Sequence, residues 1–442
     1  MVALKRSGEF LLMSIIFLNF LIFGLLRAVF STITFAFPRE AWEVYGAIIG
    51  LLLISISYGL VLKKTMSNTS IVRLSSTDRL MTLFFLFSLL SGFIGLLHSN
   101  KFTYLIGDVL RYSLLPLSYF IARNFINKQN ITRLFYFILA LEIIDSLIKL
   151  FIDMYLIKIG ILFQPGFSRG LAASFLPLIV ALLKINDNHN LKPTHRVFWF
   201  VVFFINSITI VISMYRAYWL VMLLSIALVL FLNRKPFNFI KQIIKISVVS
   251  LIIFLILMPI YNDLPDVIIK KISDRLESST DSRTDWSLSY RKEEIKHVLM
   301  HFEKEGTLLD YIVGFGAGAE YYLGLANRVE GSDSSYSHFV HNTYFSIFLR
   351  AGLIGNLLFV GILISVLKLW RNIRSLSVGS ISTFDSTIVK SIYIFFVGCI
   401  VTTFTRNEII GSVQSGILIA ILFASLKIIR SMNTREERPE GV

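Results

Sequence analysis

Long apolar runs separated by short polar breaks dominate the 442-residue chain. They fall at about residues 8–26, 42–62, 80–97, 104–122, 134–152, 170–184, 197–213, 217–232, 243–261, 343–367, 388–405 and 409–427. One bilayer crossing takes about 20 predominantly apolar residues. The pattern therefore predicts an all-α polytopic integral membrane protein of about twelve transmembrane helices. The first run follows Lys5 and Arg6 but lacks a small-residue cleavage site, and the chain turns back at once. It is expected to be an anchor rather than a removed signal peptide. A single long segment, residues 262–342, interrupts the pattern between the ninth and tenth helices. The expected organisation is helices 1–9 over residues 1–261, a large extracytoplasmic loop over 262–342, helices 10–12 over 343–427 and a tail over 428–442.

The loop has a pattern of its own. The stretch Ser278-Ser279-Thr280-Asp281-Ser282 is polar and reads as loop. From Trp286 to Phe302, the apolar residues Leu288, Ile295, Val298, Leu299 and Phe302 recur at helical spacing, with Arg291, Lys292, Glu293 and Glu294 elsewhere on the wheel. This predicts an amphipathic helix lying over the membrane domain. The stretch from Tyr311 to Gly318, YIVGFGAG, ends in three alternating glycines. It lacks the strand-to-helix context of a nucleotide fingerprint, so a tight turn is expected.

Composition narrows the class. Residues are 55% hydrophobic and 16% charged, against about a quarter charged in soluble domains, which excludes a soluble globular protein. The single cysteine, Cys399, lies in an apolar run and excludes a disulfide framework or a cysteine-based metal site. The net charge of +15 would suggest nucleic acid in a soluble chain, but here the charges must first be sorted by side. Twenty-four Lys and Arg fall on the side of both termini and eight in the short loops opposite. That bias places the termini in the cytoplasm and residues 262–342 outside. The external segment carries nine basic and fourteen acidic residues, net −5, and leaves +20 for the rest. The positive excess is an orientation signal, and no nucleic-acid partner is expected.

Ionisable groups within apolar helices cost free energy, and each needs a partner or a task. Asp108 and Arg111 lie three apart on one helix face and are expected to pair. Glu142 and Asp145 have no obvious cation beside them and could hold a proton or meet Arg111 or Arg350 across the bundle. At the external mouth, Arg169, Arg216 and Arg406 oppose the orientation rule, and Arg216 has almost no loop to occupy. An arginine held there can grip a phosphate with two parallel hydrogen bonds or snorkel to lipid headgroups. His341, with Asn342, stands where the external segment re-enters the membrane. A neutral imidazole there can accept a proton from a sugar hydroxyl, or the residue can simply cap the helix. His338 is close enough to compete for the role of base. No Asp-x-Asp, His-x-x-x-His or Cys/His cluster offers metal coordination, and no cofactor is expected.

Residues 341–355, HNTYFSIFLRAGLIG, resemble the signature of the O-antigen ligase and polymerase family: His-Asn, then Gly352 and Gly355. Arg291 opening a helix, DYIVGFGAG and ISMYRAYWL are similar to further family segments, with Tyr215 where Ser is usual. The resemblance implies a metal-independent inverting glycosyltransferase in the bacterial inner membrane, with its site facing outward. Its donor would be an undecaprenyl-diphosphate-linked glycan, and its acceptor a second lipid-linked repeat unit or the lipid A core. His341 would be the base on the acceptor hydroxyl, Arg216 the principal diphosphate ligand, and Arg291 and Arg169 further ligands, with Asn342, Gly352 and Gly355 in support. A chain-length regulator and a flippase would be partners. Family members are more often polymerases of surface polysaccharide or exopolysaccharide than ligases, although the short third external loop, residues 153–169, points toward a ligase. A glycan transporter is the alternative outside the enzyme class; its pseudo-symmetric halves are not visible in the chain.

Overall fold

The computed structural model describes residues 75–127, 130–158, 171–186, 192–212, 216–232, 286–323, 336–376, 386–404 and 413–436, with Met13, Ser14, Ile16 and Phe17. Among them run helices α1 (Ser76–Leu97), α2 (Phe102–Phe125), α3 (Ile131–Lys158), α4 (Leu171–Asn186), α5 (Pro193–Ile212) and α6 (Arg216–Phe231). There follow α7 (Trp286–Glu305), α8 (Leu308–Val313), strands β1 (Tyr321–Tyr322) and β2 (Tyr336–Ser337), α9 (Thr343–Leu376), α10 (Ser386–Thr403) and α11 (Val413–Glu436). Nine of the expected apolar runs coincide with one of these helices; those at 8–26, 42–62 and 243–261 lie outside the described residues, save the four named above. Among the described residues, five helical stretches are long and apolar enough to cross a bilayer: Ser76–Leu97, Phe102–Phe125, Pro193–Val211, Thr343–Leu369 and Ser386–Thr403.

Residue pattern decides which helices are interior. The stretch from Phe175 to Leu183 in α4 is buried on every side, as is that from Gly416 to Leu426 in α11. A helix apolar all round belongs in the middle of a bundle, and α4 packs on α3, α5, α6 and α10, while α11 packs on α2. By contrast α1 leaves Leu83, Leu86, Leu89, Leu90, Phe93, Leu96 and Leu97 exposed, an apolar outer face of the kind that lipid covers.

Buried charge in the described helices is paired at several levels of the bundle. At one end Asp78, fully buried on α1, receives Lys427 Nζ of α11 at 2.5 Å, Arg123 of α2 at 2.8 Å and the Tyr119 hydroxyl at 2.8 Å. In α3, Asp145 pairs with Lys149 at 2.5 Å one turn away, which corrects the expectation that this acidic couple lacks a cation of its own. Ser146 reaches Asn206 of α5 at 2.8 Å.

A second, smaller core sits at the other end. Val298 and Phe302 from α7, Phe315 and Ala319 from the glycine-rich turn, Tyr321, Leu323, Val340 and Leu349 are buried together. The Phe302 ring lies 4.5 Å from Phe348 and 4.8 Å from Phe315. The expected amphipathic helix is therefore present, and this core fastens it to the start of α9.

The glycine-rich turn threads between membrane helices. Gly314, Gly316 and Gly318 all adopt positive φ, and a Cβ on Gly316 would come within 2.1 Å of the Gly95 backbone in α1. Where the turn passes α9, that helix kinks at Gly352, with φ 57° and ψ −159°. The kink leaves the Leu349 carbonyl available, and Phe315 N–H donates to it at 2.9 Å. A left-handed backbone favours glycine because a Cβ would crowd the following carbonyl, and here a Cβ would also meet the Ile312 carbonyl at 2.4 Å.

Candidate functional site

The short hairpin turns sequence alternation into two faces. Tyr321 pairs with Ser337 and Tyr322 with Tyr336 in antiparallel register. Tyr321 and Ser337 point inward and are buried, whereas Tyr322 and Tyr336 face out. From β2 the chain runs through His338, Phe339, Val340 and His341 into α9.

His341 is held from behind by Glu294 of α7. Its Nδ1 lies 3.0 Å from Glu294 Oε1, and its backbone N–H donates to Oε2 at 3.1 Å. The Glu294 side chain is 1% exposed and that of His341 32%. The Tyr321 hydroxyl completes the carboxylate's surroundings, 3.3 Å from Oε1 and 3.0 Å from the Phe339 carbonyl. Burial beside the Glu294 charge pushes the Tyr321 phenol well above its ordinary range, so it stays a neutral donor. An ionised carboxylate only accepts, so in the neutral tautomer that pairs with one the imidazole donates from Nδ1 and carries its lone pair on Nε2. The rings of Phe339 and Tyr290 stand edge-on to the imidazole at 4.7 and 5.9 Å.

Asn342 caps α9, so that role is not the histidine's. Its Oδ1 accepts from Tyr344 N at 2.9 Å and Phe345 N at 3.2 Å, and its Nδ2 donates to the Phe404 carbonyl at the end of α10 at 2.9 Å. His338 points elsewhere. Its ring is stacked on Tyr104 at 4.3 Å and 7°, with Nε2 3.4 Å from Asp108 Oδ1, and its side chain is 11% exposed.

Asp108 feels the charge of its expected partner Arg111 and gains a second, distant one. It forms a buried ion pair with Arg350 of α9 and also accepts the Gly318 N–H at 2.9 Å. Arg350 is thereby committed to Asp108 rather than to Glu142 or Asp145.

The remaining arginines divide. Arg291 lies on α7 one turn before Glu294, hence on the same side of the helix. Arg216 begins α6, but its side chain, like all of Arg169 and Arg406, lies outside the described residues. Val221 of α6 meets Gly398 of α10, where a Cβ would stand 2.7 Å from Val221 Cγ1. This brings the first half of α6 beside the second half of α10, whose far end carries Phe404. Gly355 packs inside α9, where a Cβ would meet that of Ala351 at 2.4 Å.

Residues 201–360 match the family model described as O-antigen ligase. The segment is similar to O-antigen ligase domains. It contains Arg216, Arg291, Glu294, His341, Asn342, Gly352 and Gly355, while Tyr104 and Asp108 precede it. Members of the family are membrane enzymes that transfer glycans, with lipid-linked glycans as the implied substrates. No curated protein matches the chain.

Glu294 is the residue that sequence reasoning placed wrongly, on the polar side of the amphipathic helix. A signal for it does exist: Tyr290, Glu294, Val298 and Phe302 recur every four residues, so the acid belongs to the same stripe as the buried Val298 and Phe302. Arg350 likewise stands alone in its apolar run, as does any buried charge whose partner comes from a distant helix.

Proposed function

We propose that the chain transfers a glycan from an undecaprenyl-diphosphate carrier to a sugar hydroxyl, with His341 as general base and Glu294 orienting it. The observation that carries this is the buried Glu294 carboxylate on Nδ1 of a half-exposed histidine, which leaves Nε2 turned to an incoming hydroxyl. The acceptor oxygen attacks the anomeric carbon as its proton passes to Nε2. The bond from that carbon to the diphosphate breaks, and the diphosphate oxygen keeps the electron pair. A single displacement of this kind inverts the anomeric centre. Glu294 then faces an imidazolium, which its charge stabilises. Arginine charge serves the leaving diphosphate in place of a metal. Arg216 is its principal ligand and Arg291 a second, supported by the positions of α6 and α7 and by arginine's two-pronged fit to phosphate oxygens. Arg169 is a third. Asn342 fixes the turn beside the base.

Repeat-unit polymerisation is the form of transfer we favour, with ligation to the lipid A core as the alternative. The test uses purified full-length protein and a lipid-linked glycan donor. His341→Ala should abolish transfer while donor binding persists, and Arg216→Ala should lower turnover by roughly a hundredfold or more, about 3 to 4 kcal/mol of lost transition-state stabilisation. Normal transfer by His341→Ala would remove the base assignment. In cells, deletion should leave single repeat units if the chain polymerises, and long chains stranded on the carrier if it ligates.

A further inference from the structure

The proposed base sits on a short stretch of backbone that is fastened at nearly every residue. The Phe339 carbonyl is held by Tyr321 and the His341 N–H by Glu294, and Asn342 is tied to α10. The remaining fastening starts inside the membrane helices. Arg350 is 2% exposed, and each of its nitrogens is committed. Nε donates to Asp108; Nη1 donates to the Ser346 carbonyl at 3.2 Å and hydroxyl at 3.0 Å; Nη2 donates to the His338 carbonyl. Asp108 in turn holds the glycine-rich turn through Gly318 N–H at 2.9 Å and lies 3.4 Å from His338 Nε2. The His338 ring, stacked on Tyr104, closes the assembly.

We propose that Asp108 and Arg350 are positioning residues for glycan transfer, forming a buried clamp that fixes residues 338–341 and so the reach of His341. This rests on the base assignment above. A buried ion pair is poorly explained as a stabiliser, because removing ions from water offsets most of their attraction, and well-packed apolar residues often serve as well or better. What an ion pair of planar groups supplies is direction. The guanidinium fork fixes the His338 carbonyl relative to α2 and α9 at the same time, three residues from the base. Asp108 precedes the segment similar to O-antigen ligase domains, so the clamp also makes the N-terminal helices part of the site's geometry.

The test compares wild-type full-length protein with Arg350→Lys, Asp108→Asn and the double variant Asp108→Leu/Arg350→Met, each checked by thermal melting in detergent. The double variant removes both charges together and keeps the question answerable where a lone buried charge prevents folding. Folded variants, the double included, should lose about tenfold or more in kcat, approaching the hundredfold that about 1 Å of misplacement produces. KM for the donor should stay within about twofold, because the loss falls on the chemical step rather than on binding. His341 should also react faster with diethyl pyrocarbonate, read by mass spectrometry, a measurement that needs no turnover. Wild-type kcat in the double variant or in Arg350→Lys, or a higher KM at unchanged kcat, would overturn the clamp. Failure of the wild-type protein to transfer at all would instead overturn the functional reading, leaving the reactivity of His341 to judge the clamp alone.

Discussion

At the scale of single residues, Glu294 marks the difference between a histidine that is merely present and one that is poised. Two of its oxygens are occupied by His341 itself, one through the ring and one through the backbone. Glu294→Gln preserves shape and burial but removes the charge that would face the imidazolium. Turnover should fall by about 10²-fold or more while donor affinity holds, since the loss falls on proton transfer. Steady-state kinetics on a purified lipid-linked donor decides it, and an unchanged kcat would take Glu294 out of the proton path. His341 and Asn342 were legible in the chain as a rare histidine at a membrane re-entry point and its neighbour. Glu294 was not, because counting charges on a helical wheel assumes that carboxylates face water. That assumption fails where a second buried group consumes the carboxylate's hydrogen bonds.

Elements show a similar division. The amphipathic α7, the YIVGFGAG turn and the α9 span were all visible as patterns, since periodicity and clustered glycines act locally. The way they lock together was not visible: α9 must kink at Gly352 to let the turn pass, and the freed carbonyl must find Phe315. The same contact surface carries a pH response. The His301 ring packs 4.5 Å from Phe315, and burial holds it below the ordinary histidine value although Glu305 and Asp310 pull the other way and His98 adds to the depression. Burial would raise the neighbouring Asp310 carboxyl, but hydrogen bonds from Thr307 and the charge of His98 outweigh it and hold it low. Its contribution is therefore lost only in strong acid. His301 acts nearer neutrality. The unfolded chain takes up this proton near pH 6.5 and the folded protein only below that, so stability should fall as pH drops through about 6.5. Melting temperatures in detergent at pH 7.5 and 5.5 should show the decline, and His301→Phe should reduce it. An equal decline in that variant would assign the response to other groups.

On the scale of the whole molecule, two ends of one bundle carry different charge arrangements. Asp78, Arg123 and Lys427 join α1, α2 and α11 at one end. His98 and Lys101 mark the opposite end of α1 and α2, where Tyr104 stacks on His338. The count of basic residues predicts Arg123 and Lys427 on the cytoplasmic side, the orientation that a site facing outward requires. A helical membrane protein was legible from composition alone, because burying most of 442 residues this apolar leaves no soluble alternative. Orientation rests on a weaker statistical bias and needs its own measurement. Cys399 is buried and the only cysteine of the chain, so a Cys399→Ser background is available for single-site labelling. Lys101 and Lys192 are both exposed, near the site and before α5 respectively. Loss of the Lys101 contact with Glu320 should be tolerated, since exposed ion pairs contribute only about 0 to 1 kcal/mol. In intact cells an impermeant maleimide should label Lys101→Cys directly and Lys192→Cys only after the membrane is opened. The reverse pattern would turn the molecule over and place His341 where a donor carried on the outer leaflet could not reach it.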